Sequence, residues 1–84
     1  MRKRILAKTK ERPSVAQEQI LRALEEQGPL PDYFNRATSN ALVRHAWVER
    51  FDEWEGRYAV ARNMLRITTR GRWSLRRLDA RKAS

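Results

Sequence analysis

The stretch NRATSNALVRHAWV, residues 35–48, gathers side chains suited to work on a polyanion. Arg36, Thr38, Ser39, Asn40 and Arg44 supply guanidiniums, hydroxyls and an amide, the groups that contact phosphates and base edges. Residues 35–45 read as a short helix. Helical spacing places Thr38, Ala41, Leu42 and His45 on one face and Arg36, Ser39, Asn40, Val43 and Arg44 on the other. The first face can bury against a small core, and the second would be offered to a nucleic-acid groove. Asn35 and Thr38 are both suitable N-caps.

Other chemistries find little support. One histidine and no cysteine leave no histidine pair, no thiolate metal site, no disulfide and no cysteine nucleophile. Asp52, Glu53 and Glu55 are closely spaced, but they sit in a charged segment without apolar surroundings to raise a carboxyl pKa. No Gly-rich phosphate loop occurs. The expectation is a protein with no catalytic residues, metal, cofactor or small-molecule substrate. His45 reads as a packed residue or as a complement to the helix dipole. No apolar run approaches the roughly 18 residues of a membrane span, and residues 5–7 are too short for the core of a secretory signal. No membrane association is expected, and the expected location is the cytoplasm, or the nucleoid for a bacterial or phage protein.

Charge is the strongest compositional signal: +9 over 84 residues, with a pI near 11.3. Residues 1–12 carry +5, residues 13–56 carry −4 and residues 57–84 carry +8. Both ends thus suit a polyanion, and the acidic middle should mark surfaces turned away from it. Most of the C-terminal charge is arginine, whose planar fork matches phosphate.

A single small domain must position these groups. Residues 1–12, with Arg2, Lys3 and Arg4, read as a basic arm able to add phosphate contacts. Ser14 with Gln17 is a capping-box pattern opening a first helix, with an apolar stripe of Ala16, Ile20, Ala23 and Leu24, and Leu21 beside it. The polar face of that helix (Glu18, Arg22, Glu25, Glu26) reads as solvated, and Gly28-Pro29 ends it. Leu30, before a proline, should be extended. Pro31 suits the first turn of a brief helix through Tyr33 and Phe34, both expected as core plugs. From Trp47 the period becomes that of a β-hairpin, with Glu55-Gly56 as a turn signal. Either residues 58–62 form the returning strand or residues 53–63 form a long tip. Thr68 or Thr69 then caps a last helix with Gly71, Leu75 and Leu78 inward, Arg70, Arg72, Arg76, Arg77 and Arg81 around them, and Trp73 off the stripe. The domain should span residues 13–79, with residues 80–84 frayed.

Three phrases carry a resemblance. ILRALEEQGPL resembles the first helix and loop of winged helix-turn-helix DNA-binding domains. ALVRHAWVER resembles their junction between recognition helix and wing, and LRITTRGRWSL resembles their closing strand, threonine cap and glycine. The match covers residues 15–78. It implies an α+β fold with three N-terminal helices, a β-hairpin wing and a C-terminal helix. It also implies double-stranded DNA contacts from Arg36, Thr38, Ser39, Asn40 and Arg44, with wing contacts from Arg57, Arg62 and Asn63. Arg70, Arg72, Arg76 and Arg77 would neutralise phosphates. The sequence departs from the family at Ala46, where a helix-ending glycine is usual, in the short interval from Gly28 to Val48, and in the acidic first wing strand.

The function expected is that of a transcriptional regulator or an accessory factor of a mobile element. Two alternatives stand beside it. Trp47, Phe51, Trp54 and Tyr58 exceed what so small a core can cover and suit a protein-facing patch, most naturally a homodimer contact. The same basic surface would also serve RNA or ribosome binding.

Overall fold

A computed structural model describes residues 12–83. The described elements are helix α1 (Val15–Gln27), strand β1 (Leu30–Pro31), helix α2 (Arg36–Arg44), strands β2 (Val48–Glu55) and β3 (Tyr58–Ile67), and helix α3 (Thr69–Ala83). Among the described residues the fold is α+β, with three helices and one antiparallel sheet of order β1-β3-β2. Among the described residues no helix is long and apolar enough to cross a membrane.

Helix α1 begins as its sequence dictates. Ser14 accepts from the Gln17 amide while the Gln17 side chain accepts from the Ser14 amide, so two orphan donors are satisfied reciprocally. Gly28 ends the helix at φ 86°, its amide donating to Leu24 O. The buried stripe is Ile20, Leu21 and Leu24; Ala16 is exposed and Ala23 half-buried, so the inward direction is rotated toward Leu21.

Two helices, not three, precede the hairpin among the described residues. Leu30 is extended as expected, but Pro31, where a brief helix was expected to begin, continues the strand, and the two pair with Leu65 and Met64 of β3. Two prolines hold this segment extended, and a proline that cannot donate is tolerated because β1 is an edge strand. The Asp32 amide continues the pairing, donating to Asn63 O. Phe34 packs against the core, but Tyr33 is 90% exposed and plugs nothing.

Strands β2 and β3 meet at a two-residue turn, with Glu55 opposite Tyr58. Gly56 takes φ 62° and Arg57 stays at negative φ, the pattern of a type II′ hairpin turn. The returning strand is one continuous element with register shifts opposite Phe51–Trp54. There Asn63 adopts φ 54°, and its amide donates to Asp52 Oδ1, a bulge that bends the outer hairpin.

The core joins Ile20, Leu21, Leu24, Leu42, Trp47, Val48, Leu65, Ile67 and Leu75. Truncating a buried leucine to alanine costs about 2–5 kcal/mol, comparable with the whole margin of a small domain, so helices and sheet stand or fall together. The polar face of α1 is not merely solvated. Arg76, Asp79 and Lys82 of α3 pair with Glu25, Arg22 and Glu18 of α1 in antiparallel order. Helix α3 runs to Ala83, and Lys82 is the last of its residues tied to α1 in this way.

Candidate nucleic-acid interface

Asn35 caps α2, its Oδ1 accepting from the Thr38 amide at 3.1 Å. The buried residues are Ser39 and Leu42, with Val43 packed against the core. The inward stripe is therefore 39, 42 and 43, rotated from the expected Thr38, Ala41, Leu42 and His45. Arg36 and Arg44 are exposed and Asn40 is half-buried between them. At spacings of four these three residues form one ridge along the helix, with the small side chains of Ala37 and Ala41 beside it.

Ser39 corrects the expectation of a contact residue. It is fully buried; its hydroxyl donates to Arg36 O and accepts from Arg50, and it cannot meet a ligand. Arg50, on β2, is the residue that sequence reasoning passed over. Its terminal nitrogen lies 3.2 Å from Asp32 Oδ2, 3.2 Å from Ser39 Oγ and 2.7 Å from Asn40 Oδ1. One guanidinium thus ties the wing strand, the loop after β1 and α2 together. The strand's two-residue period could have revealed it, since Arg50 shares the core-facing side with Val48. Thr38 is half-buried at the cap, its hydroxyl near Asn35 Oδ1.

The far end of α2 is set by the next junction. Ala46 takes φ 62°, filling with alanine the left-handed position that glycine favours. The turn closes with Trp47 N donating to Leu42 O, and the His45 ring stacks on Trp47 at 4.3 Å. Thr68 then docks α3 here. Its hydroxyl donates to Ala46 O at 2.6 Å and accepts from the Gly71 amide, and its own amide donates to Trp47 O. The start of α3 is thereby held at the junction that follows the Arg44 end of α2.

On α3 the arginines divide. Arg76 is engaged by Glu25 at 2.9 Å, whereas Arg70, Arg72 and Arg77 are exposed and make no ion pair among the described residues. Trp73 is 64% exposed on the flank that carries Arg70 and Arg77. Arg22 donates to both Asp79 (2.7 Å) and Glu18 (2.8 Å). The Arg22 guanidinium holds Asp79 below the ordinary carboxylate range, and Arg22 with Lys82 holds Glu18 below it too. The two carboxylates in turn raise the Arg22 pKa further.

On the wing, Arg57 occupies the turn and is exposed, and the Arg62 guanidinium lies 5.8 Å from the Trp54 ring centroid. The backbone of Asn63 is committed to the bulge; with Asp32, Phe34, Arg36 and Arg50 the residue lines a small polar pocket beside the start of α2. The expected aromatic patch is not one surface. Trp47 is 4% exposed and belongs to the core, which removes it from any protein-facing patch. Phe51 is half-buried under the Arg66 guanidinium, which Glu49 holds. Trp54, Tyr58 and Val60 remain exposed toward the tip. Arg2, Lys3 and Arg4 lie outside the described residues.

Exposed arginines thus stand on three elements: Arg57 and Arg62 on the wing, Arg36 and Arg44 with Asn40 between them on α2, and Arg70 at the start of α3. Comparison with known protein families, characterised proteins and solved structures finds no match.

Proposed function

We propose that this chain is a winged-helix protein that binds double-stranded DNA, with α2 in the major groove and the wing and α3 on the backbone. The observation that carries the reading is the Arg36–Asn40–Arg44 ridge. Arg36 and Arg44 are exposed and make no ion pair among the described residues, whereas Arg22, Arg50, Arg66 and Arg76 are each held by a carboxylate. Positive charge left uncompensated along one line suits a row of phosphates, and the alanines beside the ridge allow close approach to a groove. On this reading the protein is a regulator or an accessory factor and performs no catalysis. Its affinity for a duplex should fall with salt at a log–log slope of about −5 if about six phosphates are neutralised. A flat salt response contradicts the proposal. Tighter binding to structured RNA than to duplex at the same salt would transfer it to RNA.

The exposed Trp54 and Tyr58, on opposite faces of the hairpin tip, support with Val60 a second role for the tip, a contact between two copies of the chain. Sedimentation at micromolar concentration tests it: a dimer that Trp54→Ala with Tyr58→Ala converts to monomer is expected, and a monomeric wild type contradicts it.

A further inference from the structure

Arg50 does more than brace α2. A guanidinium only donates, and its terminal nitrogen lies 2.7 Å from Asn40 Oδ1. The carbonyl end of the Asn40 amide therefore faces β2, and its two N–H groups are left for whatever meets the ridge. Turning the amide over would set donor against donor, so the chemistry of the contact fixes its orientation. The clamp is itself held. Asp32, whose side chain is 6% exposed, accepts from the Arg50 Nε as well as its terminal nitrogen, and the buried Ser39 hydroxyl shares the two hydrogens of that nitrogen with Asp32 and Asn40.

An unclamped asparagine reads adenine by accepting from N6 while donating to N7. Asn40 has its accepting end engaged by Arg50 and keeps the donating one. In the major groove guanine offers two acceptors, N7 and O6. Thymine offers O4 alone, adenine sets a donor beside N7, and cytosine presents only a donor. Resting on the DNA-binding reading above, we propose that Asn40, clamped by Arg50, is a donor-only reader that selects guanine and rejects cytosine at one position of the duplex site. Arg36 and Arg44 lie four residues to either side, so that position falls within the arginine ridge.

The test is selection from random duplexes with the full chain, its Asn40→Asp variant and its Asn40→Ala variant, each first checked by thermal melting. Aspartate keeps the size of asparagine and an acceptor for Arg50, but it replaces the outward donors with acceptors. The wild type should favour guanine over cytosine about tenfold at one position, within the range of a good bidentate contact. The aspartate variant should turn that position toward cytosine, and the alanine variant should lose the preference there while other positions keep theirs. Identical selections by wild type and aspartate variant, or adenine chosen by the wild type at the position Asn40 governs, overturn the inference and leave the DNA-binding reading standing. Absence of salt-sensitive duplex binding by the wild type overturns both.

Discussion

Gly71 of α3 lies directly against the backbone carbonyl of Trp47. A Cβ at this position would fall well inside van der Waals contact with that oxygen and 2.7 Å from Ile67 Cγ1. A carbonyl has no rotamer with which to move aside, so Gly71→Ala must push α3 off the sheet. The expected cost is about 3 kcal/mol, the upper end for overpacking. The melting temperature should drop by more than about 10 °C, as read by circular dichroism.

Ala46 poses the opposite problem. Its φ of 62° costs an alanine roughly 1 kcal/mol that glycine avoids, although glycine returns part of this as unfolded-chain entropy. Ala46→Gly should stabilise by about 0.5 kcal/mol, and Ala46→Val should destabilise by more than 1 kcal/mol, roughly, because of the branched side chain. Urea midpoints at unchanged m-value would show both.

The α1–α3 clamp makes stability acid-sensitive. Glu18 and Asp79 both titrate below their ordinary values of 4.5 and 3.8 in the folded state, chiefly through Arg22. Carboxyls with depressed folded pKa values contribute stability above their unfolded pKa and lose it as pH falls through the folded one. The melting temperature should therefore decline as pH drops below about 4.5, and Glu18→Gln with Asp79→Asn should flatten that decline. Because these pairs remain partly open to solvent, high salt should weaken the effect.

The arginines should separate by role. On the DNA-binding proposal, Arg44→Ala should relax sequence preference, while Arg77→Ala should weaken all duplexes alike and lower the salt slope by about one. Arg76→Ala also breaks the Glu25 pair, so it should cost some stability as well as affinity. Fluorescence anisotropy on a selected and a scrambled duplex distinguishes these outcomes. Equal losses on both duplexes for Arg44→Ala and Arg77→Ala would refute the division.

What could be read from the sequence was what is local in it. The Ser14–Gln17 capping box, the Gly28 stop, the Gly56 turn and the Gly71–Leu75–Leu78 stripe each depend on neighbours a few residues away. What escaped depends on partners distant in the chain. Thr38 and Ser39 are equally small and polar; Ser39 is the one that shares the inward face with Leu42 and Val43, where Arg50, arriving from β2, donates to its hydroxyl. Pro31 fits a helix start as well as an edge strand until β3 lies beside it. The polar face of α1 looked solvated because its partners, Arg76, Asp79 and Lys82, lie at the other end of the sequence.

The most direct measurement is the chemical-shift response of backbone amides as a duplex is titrated into the labelled protein at moderate salt. The account predicts the largest changes at residues 36–45, with further changes at residues 57–62 and around Arg70, and little along the exposed side of α1. Perturbations confined to α1, or a ridge from Arg36 to Arg44 that does not respond while the duplex binds, would contradict it.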